Sequence, residues 1–230
     1  MSVLLLRLAG PMQSWGIQSQ FPDRDTGMEP SKSGVVGLLC AALGRGRSEP
    51  VNDLAELHMA VRVDWQGSLL YDYQTAMNVR EASAKPRDVA KGKGIRGSIS
   101  KRFYLSDACF LVGLESDDQN LLAELHGRLR EPAWPLYLGR KAFVPGEPVW
   151  LENGWRPDET LIEVIRRYDW LVRRKVKDPP KKLRVVVDAV VSTDEPVVAE
   201  QVRPDYPISL AERRFAPRQV KTLLIETPGG

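Results

Sequence analysis

The first strand constrains the chain most. Residues Val3 to Leu8, within "SVLLLRLAGP", form an almost unbroken apolar run interrupted by Arg7 alone. A strand apolar on both faces belongs in the interior of a sheet covered on both sides, so Ser2–Leu8 is expected to be central. Gly10 and Pro11 then stop it, and "GPMQSWG" follows, with Trp15 beside Gln13 and Ser14. A turn needs no Trp. Two readings remain open: a ring stacking on a flat ligand, or a core plug beneath the loop.

The strand opens a recognisable order. A long Gly/Pro/Ser-rich loop runs to about Lys32, and such loops are usually functional. "SKSGVVGLLCAALG" predicts a helix capped by Ser31 or Ser33 and ended by Gly44. Gly34 and Gly37 weaken it, which is tolerable if something approaches that face closely. A short helix near Asn52–Leu57 precedes "MAVRVDW", a strand. Gln66-Gly67 turns into a second strand, "LLYDYQTA". "RFYLSDACFLVGL" reads as a further strand, and "DDQNLLAELHGRLRE" as an amphipathic helix with Leu121, Leu122, Leu125 and Leu129 on one face. This β-α-β-β-α-β-like order predicts an α+β fold with a ferredoxin-like (RRM-like) domain over residues 1–150. Residues 151–230 are expected to form a small C-terminal, β-containing domain. There "ETLIEVIRRYDWL" looks helical, and "KLRVVVDAVV" and "KTLLIE" look like strands.

Charge is distributed unevenly over the 230 residues, whose net charge is only +3. Residues 76–104 carry a local +6 and residues 166–184 a local +7, leaving −10 elsewhere. Two basic zones on an acidic body suggest a polyanionic partner. The stretch "AKPRDVAKGKGIRGS" has almost no apolar residues, so it projects or is mobile. Its cations and their neighbours, Arg80, Lys85, Arg87, Lys91, Lys93, Arg96, Lys101 and Arg102, can track a phosphate backbone; a solvated loop is the bland reading. The helix start at Ser31, Lys32 and Ser33 offers free amides to a phosphate, or is an ordinary core cap. Arg140 and Lys141 in "PLYLGRKAF" are a phosphate contact beside Tyr137, or two exposed charges on a turn.

Catalysis finds little support. His58 and His126 lack partners at metal-ligand spacing, so no metal and no cofactor are expected. No phosphate loop or nucleophile elbow appears. Metal-independent RNA cleavage needs only a base near a 2′-hydroxyl, and His58, Tyr104 or a Lys of the basic segment could supply one. Cys40 and Cys109 sit in apolar runs and are expected to be buried thiols. No apolar run is long enough to span a membrane. No membrane association is therefore expected, and the protein reads as cytoplasmic.

Five short motifs in order, "LRLAGPMQSWG", "PSKSGVVGLL", "DYQT", "RFYLSDACFLVGL" and "YLGRKAF", carry a resemblance over about residues 1–150. Together they resemble the family of CasD subunits of type I-E CRISPR surveillance complexes. These belong to the fifth Cas family, within the repeat-associated RNA-binding superfamily. The resemblance implies a ferredoxin-like fold with an inserted basic β-hairpin thumb, here about Ala76–Tyr104. It implies a non-catalytic RNA-binding subunit of Cascade. That subunit would hold the 5′ handle of the crRNA, cap the backbone of CasC subunits and adjoin the large CasA subunit, near target DNA. In subtype I-C relatives the equivalent protein cuts RNA, so a metal-independent endoribonuclease is the alternative. On this reading Gly10, Pro11, Met12, Gln13, Ser14 and Trp15, the Ser31–Ser33 helix start, the thumb cations, Arg140 and Lys141 form one RNA-binding surface.

Overall fold

A computed structural model of the chain describes residues 1–16, 23–80, 86–89, 95–172 and 180–228. Its strands are β1 (Ser2–Ala9), β2 (Met12–Gln13), β3 (Asp23–Arg24), β4 (His58–Trp65), β5 (Ser68–Arg80), β6 (Ile95–Ser106), β7 (Cys109–Ser116), β8 (Trp150–Pro157), β9 (Lys182–Asp188), β10 (Val197–Ser209) and β11 (Arg214–Glu226). Its helices are α1 (Lys32–Leu43), α2 (Asn52–Ala55), α3 (Pro86–Val89), α4 (Gln119–Arg130) and α5 (Leu161–Arg167). The fold is α+β and mostly antiparallel.

Seven strands form one sheet in the order β10-β11-β9-β4-β7-β1-β8. β1 lies inside it, between β7 and β8, and every residue of the strand is buried. The two faces of β1 feed two cores. Leu4, Leu6 and Leu8 pack with α1 and α4 residues such as Leu39 and Leu125. Val3, Leu5 and Ala9 pack with Leu161, Val164 and Ile165 of α5. Period-two alternation delivers side chains to both faces, so a strand apolar throughout needs a helix on each side. Arg7 is kept in this setting by its pair with Glu147 at 2.6 Å and by donating from Nε to Pro148 O at 3.2 Å.

The helices start and stop as their ends dictate. Ser31 Oγ accepts from Gly34 N at 3.3 Å, and Gly44 ends α1 in the left-handed region at φ 77. Asp118 Oδ1 caps α4 through Leu121 N. Cys40 and Cys109 are buried free thiols.

Three expectations change. "RFYLSDACFLVGL" is not one strand. Asp107 takes a left-handed φ of 57 and splits it into β6 and β7, which join different sheets. β5 reaches Arg80, beyond the run read from its sequence, because β6 pairs with it from Ser68↔Ser106 to Arg80↔Ile95. β10 was not anticipated. Pro204 and Pro207 argue against a central strand, and β10 accordingly lies at the sheet edge, with register shifts between Arg203 and Tyr206 and between Pro207 and Ser209. The expected boundary at residue 150 falls at the start of β8, and strands from both sides of it share the seven-stranded sheet.

Candidate nucleic-acid interface

β5 and β6 form a long, mostly exposed antiparallel hairpin, and β2 and β3 pair with β6 near Ser106 and Lys101. The register sorts its side chains. One face carries Tyr71, Tyr73, Phe103 and Lys101; the other carries Asp72, Arg102 and Tyr104. On the first face Tyr71 is 55% and Tyr73 60% exposed. Tyr71 lies 5.5 Å from the Phe103 ring, and Lys101 Nζ sits 5.9 Å above Tyr71. Exposed rings beside a cation are what a single-stranded nucleic acid binder uses for stacking. Neither Tyr was singled out from sequence, although alternation of aromatics with polar residues opposite a Lys is a readable signal. Arg80, Arg87 and Arg96 are exposed on the hairpin and its short helix. Lys85, Lys91 and Lys93 lie outside the described residues.

At the hairpin base, three arginines meet. Arg24 of β3, Arg102 of β6 and Arg140 from the loop after α4 line a cleft of about 380 Å³ together with Ser14, Gly16 and Asp25. Arg140 donates from Nη2 to Arg24 O at 3.1 Å and lies 5.5 Å over the Phe143 ring. Its Nη1 is buried without a hydrogen-bond partner among the described residues. Burial, and then repulsion from Arg102, lower the affinity of this guanidinium for its proton below the ordinary value. A buried, unpaired donor beside two further cations suits an anion.

A second, larger groove of about 880 Å³ adjoins it at Gly139. Gly37, Arg47, Trp134, Tyr137, Arg213 and Phe215 line it, with Lys141 and Ser33 at its walls. Among the described residues, no carboxylate lines it. Trp134 is 47% and Phe215 42% exposed, and a Cβ added at Gly37 would meet nothing within 4 Å. Trp134, Arg47, Arg213 and Phe215 were missed, since loops distant in sequence bring them together.

The Gly10–Gly16 loop behaves differently from expectation. Gln13 is fully buried: Nε2 donates to Leu8 O at 3.0 Å and to Ala108 O at 2.7 Å, and Oε1 accepts from Trp15 Nε1 at 3.2 Å. Trp15 is 1% exposed and belongs to the main core cluster. Its ring therefore takes the plug arrangement and presents no free face. Met12 packs against the same core, while Pro11 is exposed and accepts Asp107 N at its carbonyl. Ser14 donates to Phe103 O at 3.2 Å and still borders the arginine cleft. Gly10 is hemmed in, since a Cβ there would lie 3.0 Å from Leu138 Cδ1.

The helix start is also occupied from within. Lys32 N donates to Asp205 Oδ2 at 2.9 Å, and Lys32 Nζ donates to Asp188 Oδ2 at 3.2 Å with the whole residue buried. Arg218 joins both carboxylates, donating to Asp205 from Nε at 2.9 Å and Nη2 at 2.8 Å and to Asp188 from Nη1. An internal carboxylate thus takes the amide that a phosphate was expected to use. Lys32 is correspondingly part of a buried ionic cluster that ties α1 to β9, β10 and β11. Ser31 is buried as the cap, and Ser33 alone of the three reaches the groove. In the second basic zone, Arg166 meets Glu195 at 3.3 Å, Lys182 meets Glu226 at 3.4 Å and Arg184 meets Glu29 at 2.7 Å. Arg173, Arg174, Lys175 and Lys177 lie outside the described residues.

Groups suggested for RNA cleavage stand apart. His58 borders an acidic cleft with Asp53, Glu56, Glu115, Asp117 and Asp118. Tyr104 packs on Phe143 at 5.9 Å, at the hairpin base. His126 places Nε2 3.0 Å from Leu151 O. Among the described residues, no three His, Cys, Asp or Glu side chains converge in a manner suited to a metal ion.

Comparison with known proteins supplies the frame for these surfaces. The chain is 34% identical over 163 residues to "CRISPR system Cascade subunit CasD" of Escherichia coli (strain K12), covering 65% of this chain and 70% of the relative. Among solved structures, one described as "Crystal structure of Cas protein" is 41% identical, covers 99% of this chain and 98% of its own, and superposes with a TM-score of 0.75. A chain of a "CRISPR RNA-guided surveillance complex" is 31% identical, with 99% and 91% covered and a TM-score of 0.77. The model of the family described as CRISPR-associated protein (Cas_Cas5) matches residues 3–221, and the chain belongs to that family.

Proposed function

We propose that this chain is a non-catalytic RNA-binding subunit of a type I-E CRISPR surveillance complex, a Cascade subunit of the CasD kind acting in antiviral defence. The observation that carries this reading is the arginine cleft at the base of an exposed aromatic and basic hairpin. Arg24, Arg102 and Arg140 would hold backbone phosphates of the 5′ handle of the crRNA. Tyr71, Tyr73 and Lys101 would meet a splayed strand along the hairpin, and the groove at Trp134 and Phe215 would take adjoining nucleotides near Lys141. Gln13, Trp15, Ser31 and Lys32 serve as scaffold for these contacts.

The hairpin is read as the thumb, and β4-β7-β1-β8 with α1 and α4 as a ferredoxin-like unit. That reading is supported by the strand order and by both helices packing on one face. In the complex the chain would cap the backbone of CasC subunits and adjoin CasA, close to target DNA, in the cytoplasm. No helix among the described residues is long and apolar enough to cross a membrane.

The test is incubation of a labelled CRISPR-repeat RNA with the chain, alone and co-expressed with its proposed partner subunits, with and without EDTA. Salt-sensitive binding with intact RNA is expected. If about six cations meet phosphates, the slope of log affinity against log salt is about −4, at about −0.7 each for a single strand. Cleavage in EDTA would replace this reading with the endoribonuclease. Absence of both binding and cleavage in the co-expressed sample would leave the basic zones as solvated faces. Sequencing the co-purified RNA identifies the bound segment.

A further inference from the structure

The arginine cleft brings together like charges from three chain segments, with Asp25 beside them in the lining, and neutral backbone and side-chain contacts also join those segments. Residues 13–15 touch all three segments. Trp15 N donates to Thr26 Oγ1 at 2.9 Å, and Trp15 O accepts from Gly27 N at 2.8 Å, two and three residues beyond Arg24. Ser14 N donates to Leu138 O at 3.1 Å, two residues before Arg140. Ser14 Oγ donates to Phe103 O, next to Arg102. Gly139 completes the fit: at φ +92, a Cβ there would lie 1.8 Å from Ser14 O, so only glycine lets the two segments approach.

The three residues are seated by α1. The Trp15 ring lies where a side chain at Gly34 would be; a Cβ there would sit 2.8 Å from Cε3 and 3.1 Å from Cζ3. On the other side the indole N–H bonds Gln13, whose amide bonds Leu8 O at the end of β1 and Ala108 O just before β7. The ring is thus clamped between a helix and the sheet, and the segments bearing the arginines hang from its neighbours.

We propose that Trp15, seated against Gly34, is a positioning residue that holds Arg24, Arg102 and Arg140 in one preformed phosphate-binding cleft. This rests on the RNA-binding reading above. Preorganisation of this kind raises affinity by removing the cost of ordering the site at binding.

Gly34→Ala is the direct test. Alanine favours the helix over glycine, while its Cβ would lie 2.8 Å from the ring and 3.1 Å from the capping Ser31 Oγ, so the ring gives way first and the cap to a smaller degree. The labelled CRISPR-repeat RNA is titrated against wild type and variant, in the same co-expressed form, over a salt series. Melting is followed in parallel. Affinity is expected to fall ~10-fold, because arginines no longer held in place must be ordered at binding. The salt slope should become shallower by about 1.4, the share of two lost phosphate contacts. Adding Trp15→Phe to Gly34→Ala shrinks the ring and is expected to restore both readings. Trp15→Phe alone, which leaves a gap and not a clash, should lower affinity and slope in the same direction by less, and stands in if Gly34→Ala does not fold. Unchanged affinity and slope overturn the proposal, as does a loss that follows melting alone with the slope intact. If wild type itself binds no RNA, the underlying reading falls and takes the proposal with it.

Discussion

The hairpin and the Gly10–Gly16 loop were expected to share one surface, yet they obey opposite rules. The hairpin shows rings and cations to solvent: Tyr71, Tyr73, Lys101 and the arginines stand on a two-stranded ribbon with little core beneath them. The loop turns its Gln and Trp inward, satisfies both polar side-chain atoms of Gln13, and leaves Ser14 and Gly16 at the edge of the cleft. On the proposed reading, one region touches the ligand and the other places the groups that do. Polar and aromatic side chains next to a turn are ambiguous between these roles until their burial is known.

The sharpest way to break this contrast is to truncate one ring in each region. Trp15→Ala removes a fully buried indole and should cost about 3–5 kcal/mol of stability in urea unfolding. Tyr73→Ala, on an exposed ring, should change stability by no more than about 0.5 kcal/mol while weakening RNA binding. Equal stability losses would erase the distinction. Charge gives a parallel pair. Asp188→Ala removes the carboxylate paired with the buried Lys32 ammonium and with one Arg218 donor and should cost about 3 kcal/mol or more in the same assay. Lys101→Ala with Arg102→Ala should leave unfolding within about 0.5 kcal/mol but shift the salt slope of RNA binding by about 1.4 towards zero.

Acid sharpens the comparison further. Burial raises the Asp205 pKa, but the paired Arg218 guanidinium outweighs it and holds the carboxyl below its ordinary 3.8. A group depressed in the folded state contributes stability above pH 3.8 that is lost as the pH falls through its folded value. Acid unfolding followed by circular dichroism should therefore be less steep in Asp205→Asn at the low-pH end. The smallest effect concerns thiols. Burial pushes Cys40 up to about 11 and Cys109 up to about 12. Native protein at neutral pH should resist maleimide labelling, whereas Tyr73→Cys on the hairpin should label at once.

Legibility followed the range of the forces involved. The interior position of β1, the Ser31 and Gly44 caps of α1 and the apolar stripe of α4 are local matters of pattern and propensity, and they were readable. β10 was not, because two prolines lower the strand signal unless its edge position is known. Within the candidate site, Arg102 and Arg140 stood out in the sequence as cations in unusual contexts, whereas Arg24, Trp134 and Phe215 became candidates only through neighbours far away in sequence. Lys32 and Trp15 misled for one reason: a residue type that binds ligands when exposed also fills cores and buried ion clusters.

By itself the sequence determined the α+β class, the family motifs and the surplus of positive charge on a segment unable to pack a core. These depend on residue type and spacing along the chain. Tertiary structure alone decided that Asp205 and not a ligand takes the start of α1, that the Trp15 ring fills the space above Gly34, and that three separate arginines share a cleft. Each depends on which distant groups become neighbours. That outcome is set by the total burial of apolar surface and the pairing of buried charge, which no local window contains.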